Sequence, residues 1–187
     1  MSIKDVVAII GLIAAIAACD KQNFISITNE ASQRSSSIQV TMHDTAGPYA
    51  NVYVNIERVS IHRSDTDSLV GWTDLNVNPG FYDLLELQNG LDSVLVNQTM
   101  IGAGHVTQMR FLLGEGNHVI LLDSTLLPLN VPSGMQSGIK LNLNHEFEPF
   151  KVYDITIDFD VMKSIHVTGN GKYQLKPVIK VESVVEI

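Results

Sequence analysis

Three carboxylates fall at alternate positions of one short segment. In Tyr153–Val161, Asp154, Asp158 and Asp160 share their parity with Thr156, while Tyr153, Ile155, Ile157, Phe159 and Val161 take the other. Successive side chains of a β-strand point to opposite faces, so this spacing predicts one apolar and one acidic face. Neighbouring carboxylates then lie about 6.5 to 7 Å apart and repel unless something compensates them. Two compensators fit: a lysine on a neighbouring strand, with Lys140 and Lys176 as candidates, or a hard cation such as Ca²⁺ held by oxygens. The second would make a calcium-stabilised, adhesion-type domain, although no DxDxDG loop supports it. Glycoside hydrolysis by paired carboxylates needs an opposing partner that the chain does not name.

Other chemistry-bearing residues are sparse. Trp72 is the only tryptophan, and with Phe81 and Tyr82 nearby in sequence it offers a sugar-stacking platform, against its ordinary use as a core or rim residue. The Pro132–Gly138 loop holds two glycines and two serines. Its backbone N–H groups can form an anion nest, with Ser133, Gln136 and Ser137 as ligand contacts, or it is simply a turn. In Gly134-Met-Gln-Ser137-Gly the serine stands one place too late for a nucleophile elbow. The six histidines form no H-x-H, H-E-x-x-H or H-x₃-H pair, so no zinc-catalysis motif is present. Residues of this kind point to a binding or assembly module and not an enzyme, with no cofactor beyond the calcium option. Asp44-Thr45-Ala46, Asp67-Ser68-Leu69, Asp92-Ser93-Val94 and Asp123-Ser124-Thr125 resemble the O-glycosylation acceptor pattern of exported proteins in Bacteroidota, which marks Thr45, Ser68, Ser93 and Ser124.

The single cysteine excludes an internal disulfide framework and any CxxC module. Its position suggests another role. Lys4 and the thirteen-residue apolar run Val6–Ala18 precede it, and that run is shorter than the roughly 20 residues a membrane-spanning helix needs. A basic start, an apolar stretch and small residues at its end make a secretory signal over residues 1–18. Ile16-Ala17-Ala18-Cys19 resembles the bacterial lipobox, which implies diacylglycerol and palmitate on Cys19 and a lipoprotein of the cell envelope, on the outer membrane. Two or three acyl chains at about 0.8 kcal/mol per buried CH₂ anchor a chain stably. Residues 19–37 are polar and aperiodic, as expected of a tether. Twelve basic against twenty acidic residues, a net charge of −8, argue against a nucleic-acid partner. The membrane, a glycan or an envelope protein remain as partners.

From Ile38 to Ile187, period-2 alternation recurs between Gly, Pro, Asn and Asp clusters, as in an antiparallel all-β domain. Strands are expected at Ile38–His43, Asn51–His62, Phe81–Leu85, Val106–Leu113, His118–Leu122, Ile139–Leu143, Tyr153–Val161 and Tyr173–Val185. Val52, Val54 and Ile56 differ in parity from Val59 and Ile61, which predicts a β-bulge near Glu57-Arg58. In the last strand, Leu175, Ile179, Val181 and Val185 should face the core. Gly90–Thr99 and Met162–Ile165 suit short helical turns. Seven or eight strands in about 150 residues make a two-sheet β-sandwich. An exposed sheet edge of such a domain would serve a structural role in an envelope or pilus-like assembly by strand pairing.

Five segments carry a family likeness: Tyr82–Gly90, Gly102–Arg110, Val131–Lys140, Asp158–Ser164 and Gly169–Pro177. They resemble, in consistent order, a bacterial and archaeal family known only as domain of unknown function number 4382. The resemblance spans roughly Ser37 to Val181 and implies a prealbumin-like or immunoglobulin-like β-sandwich on exported, often lipid-anchored proteins. It brings no activity with it. His105 stands where the family usually has an aromatic residue.

Overall fold

The alternation of β2 (Asn51–Arg63) organises the larger of two sheets, and the phase break within it is real. Val52, Val54 and Ile56 are buried, the register against β6 (Gly104–Leu113) slips between Ile56 and Arg58, and Val59 and Ile61 are then buried in turn. The extra residue at Glu57 lets both halves of the strand present apolar side chains to one core, as expected of a bulge. This is a computed structural model that describes residues 35–44, 48–63, 71–87, 93–132 and 137–187. The signal segment, Cys19 and the tether up to residue 34 lie outside the described residues, as do Thr45, Ser68, Ser133 and Gln136.

The smaller sheet runs β13 (Ile179–Glu186), β10 (Val152–Phe159), β1 (Ser35–Asp44), β5 (Ser93–Gly102). The larger runs β11 (Ile165–Val167), β12 (Tyr173–Leu175), β8 (Leu126–Asn130), β7 (His118–Ile120), β2, β6, β9 (Ile139–Phe147). Two more short strands, β3 (Trp72–Asp74) and β4 (Gly80–Asp83), pair with β2. The all-β sandwich expectation holds, with thirteen strands among the described residues. Most pairs are antiparallel, but β1 lies parallel to β10 and β12 parallel to β8. Ser35–Ser37, read as tether, already belong to β1.

The core lies between the sheets. Ile38, Val40 and Met42 of β1 and Ile155, Ile157 and Phe159 of β10 face Met109 and Phe111 of β6 and Phe147 of β9, all essentially inaccessible. Phe147 meets Tyr153 of β10 edge to face, ring centroids 5.0 Å apart, which ties the two sheets together. Truncating a side chain such as Phe111 to alanine costs about 3 to 5 kcal/mol in an interior of this density.

Several expected elements differ. Ser93–Gly102 is a strand and not a helical turn; its pairing with β1 slips twice, and both Leu95 and Val96 are buried, so bulges erased the alternation. Tyr173–Val185 is two strands, because Pro177 between them lacks an N–H for a ladder. A register slip between Thr156 and Ile157 against β13 then changes its parity, leaving Val185 half exposed with Val184 packed on the core. Leu84–Leu87 turns into a 3-10 helix after β4. One short helix, α1 (Val161–Ser164), falls where a helical turn was expected. Among the described residues no helix is long and apolar enough to cross a membrane.

Candidate functional site

Register places the side chains of the larger sheet's outer face in rows. Trp72 stands opposite His62, and His62 opposite Gln108; one row along, Asp74, Ser60, Arg110 and Lys140 follow one another across β3, β2, β6 and β9. Trp72 leans across these rows. Its ring meets His62 edge-on at 5.1 Å, the Arg110 guanidinium carbon lies 4.3 Å from its centroid, and Lys140 Nζ lies 5.7 Å away. Both cations use the negative face of the indole, a contact worth about 0.5 to 1 kcal/mol at an exposed site. Ser60 is fully buried on this outer face and donates to Asp74 Oδ1 at 2.6 Å, and Asp74 also meets Arg58 at 3.6 Å.

Arg110 and Lys140 face each other directly across β6 and β9, an arrangement of like charges that destabilises a sheet. Among the described residues neither has an ion-pair partner. An anion placed between two such cations would offset their repulsion. The Arg110 stem also packs against Gly138, whose φ of +94° suits glycine; a β-carbon there would come within 2.8 Å of Arg110 Cγ. Trp72 and the end of the Pro132 loop, two separate candidates from the sequence, therefore meet at Arg110. Ser137 is exposed in the turn just before Gly138. Arg110 itself was missed: nothing in its local sequence separates it from any other arginine on a polar strand face.

The acidic strand is arranged otherwise. β10 ends at Phe159, and Asp160, still extended, caps α1, accepting from Lys163 N at 3.0 Å and from Lys163 Nζ at 2.6 Å. That lysine bond holds the Asp160 carboxyl below the usual carboxylate range. Asp158 is nearly buried and pairs with Lys180 of β13 at 3.0 Å, which raises the Lys180 pKa, while its Oδ1 has no partner. Asp154 accepts from Thr41 at 3.3 Å. His43 of β1 and Glu182 of β13 bond beside them. The expected lysines were the wrong ones: Lys140 lies on the other sheet at Trp72, and Lys176 is exposed between β12 and β13. Among the described residues no group of three or more His, Cys, Asp or Glu side chains is placed to hold a metal ion.

The remaining candidates scatter. Ser93 opens β5 opposite Met42, in a strand and not a turn. Ser124 is exposed with φ 67° in the turn before β8, where Asp123 accepts from Thr125 N at 3.0 Å. Phe81 and Tyr82 do not join Trp72: β3 and β4 pair with opposite ends of β2, Trp72 beside His62 and Phe81 beside Asn55.

No curated protein and no solved structure matches the chain. Residues 35–177, from the first residue of β1 to the proline ahead of β13, match the family described as Domain of unknown function (DUF4382), and the chain belongs to that family.

Proposed function

We propose that this protein is an exported β-sandwich, lipid-anchored through Cys19, that binds an anionic extracellular ligand on the outer face of its larger sheet. The observation that carries the reading is the Arg110–Lys140 pair, opposed across two strands, stacked on Trp72 and without an ion-pair partner among the described residues. In a chain of net charge −8, a concentrated positive patch is a departure from the average surface and gives attraction to anions a defined place. The indole adds a flat apolar surface, so an acidic glycan fits better than a bare inorganic ion. Full-length protein should bind dextran sulfate and not neutral dextran of equal length, with affinity falling as salt rises. Arg110→Ala should weaken that binding about tenfold or more. Equal binding to both polymers, or an unaffected variant, would reject the proposal.

A second reading, assembly by strand pairing, is supported by β5. It forms one edge of the smaller sheet among the described residues, and Ser93–Gly102 contains no charged residue or proline, whereas the opposite edge strand β13 carries Lys180, Glu182 and Glu186. Charges and prolines are the usual protection of such edges. Val77 and Asn78 cover the edge only near Leu95 and Val96.

A further inference from the structure

At one end of the sandwich all four strands of the smaller sheet begin or finish beside the point where the chain arrives from Cys19. Ser35 opens β1 opposite Gly102 of β5, and its carbonyl accepts from Phe150 N at 2.8 Å. Two residues on, Ser37 lies between Met100 of β5 and Val152 of β10, and the Val152 carbonyl accepts from Ile187 N at 2.9 Å. Neighbouring strands lie about 4.8 Å apart, so these pairings gather Met100, Phe150 and Ile187 along one rim about 15 Å wide.

All three are apolar and mostly in water: Met100 is 67% exposed, Ile187 69% and Phe150 72%. Val185, opposite Asp154 on the same sheet, is half exposed. Phe150 has φ 65°, a backbone region that bulky residues rarely occupy, and its bond to Ser35 holds it there. Lys151, the next residue, is bonded to Glu186, so its charge is already matched and apolar area is what the rim has to offer.

We infer that this rim rests on the bilayer that holds Cys19, with Met100, Phe150, Val185 and Ile187 among the headgroups and upper acyl chains of zwitterionic phospholipid. The inference rests on the lipid-anchor reading. Ser35 stands sixteen residues after Cys19, a length that reaches at most about 58 Å whatever path it takes. Contact with the bilayer is therefore intramolecular, and an apolar patch too weak to bind a membrane alone suffices. The rim is where that chain joins the fold, so it meets the bilayer ahead of the far end. Because the patch belongs to the smaller sheet, the outer face of the larger sheet stays clear for the ligand proposed above.

The test uses full-length lipidated protein in phosphatidylcholine vesicles whose acyl chains carry bromine, a contact quencher of tryptophan. Trp72→Phe supplies a background without tryptophan, since the chain has only one. Phe150→Trp then reports on the rim, and Ile187→Trp repeats the measurement at a second exposed rim position. Leu122→Trp is the control: Leu122 is exposed beyond Ile120, which pairs with Asn51 at the start of β2, whereas Arg63 at its other end bonds the Ala103 carbonyl beside Gly102. Brominated lipid should cut the rim signals at least about twofold and the Leu122→Trp signal by less than about a tenth. Thermal melts confirm that the variants are folded, and intact mass and vesicle flotation report the acyl chains separately. A chain without acyl groups would end the anchor reading and this inference with it. A lipidated, floating protein with unquenched rim reporters, or with equal quenching at Leu122→Trp, would overturn the inference alone. So would a dimer in detergent that Phe150→Ser abolishes, which would assign the rim to a second copy of the chain.

Discussion

The outer faces of the two sheets both carry charged groups and use them in opposite ways. On the smaller sheet the charges close on themselves: Asp158 with Lys180, Glu182 with His43, and Asp160 with Lys163 at the strand's end. On the larger sheet Arg110 and Lys140 oppose each other, both over the Trp72 ring and neither with an ion-pair partner among the described residues. A conspicuous run of acids is thus a solved structural problem, and an inconspicuous arginine is the unsolved one. Charge that has already found its counter-charge has little left for a ligand, whereas like charges held together by a sheet gain from any anion that arrives.

Two double variants test that contrast at equal net charge, since each removes two cations. Arg110→Ser with Lys140→Ser should reduce dextran sulfate affinity about 100-fold or more and move the melting temperature by less than about 2 °C. Lys163→Ala with Lys180→Ala should do the reverse, leaving affinity within about twofold and lowering the melting temperature. Equal losses of binding in both would show that overall charge, not place, decides.

Within the smaller sheet, Lys180→Met alone leaves the nearly buried Asp158 without its counter-charge and should lower the melting temperature at neutral pH. The Lys180 pKa is raised, so its contribution is complete below the ordinary lysine range and lost as pH rises through the raised value. The gap between wild type and variant should therefore close in strong alkali, and a gap that persists there would assign the loss to packing.

Asp160→Ala removes a helix cap and should cost about 1 kcal/mol in denaturant unfolding, with Asp160→Asn, which can still cap, costing less. The Asp160 pKa is lowered, so its stabilisation is full above the ordinary carboxylate range and disappears as pH falls through the depressed value. The Asp160→Ala deficit should accordingly shrink below about pH 4.

The smallest effect concerns calcium. Because Asp158 and Asp160 already have lysine partners, millimolar Ca²⁺ should shift the melting temperature by less than about 1 °C. A larger shift would return the acidic strand to the list of sites.

Legibility followed periodicity. The bulge at Glu57 could be read from the chain because a single extra residue in a long, strongly alternating strand changes the parity of everything after it. β5 could not, because two slips within ten residues leave no stretch long enough to show a period. The parity of β13 failed at Val185 for the same reason. Among the sites, Trp72 was legible as a lone large aromatic, and its surroundings were not. Its neighbours in sequence, Phe81 and Tyr82, went to the far end of β2, while Arg110 and Lys140 arrived from strands tens of residues away.

Local chemistry was enough to make this an all-β chain, since alternation is a property of consecutive residues and each strand records which of its faces is apolar. It was also enough to mark Cys19 as a candidate anchor and to exclude the familiar catalytic motifs. Which strand lies beside which, and in what register, depends on pairing between residues distant in the chain, and no local pattern encodes it. That pairing gave Asp154 and Asp158 their cross-strand partners and set two cations face to face over a tryptophan. An unpaired charge is a relation between side chains, so only the assembled sheets could reveal it.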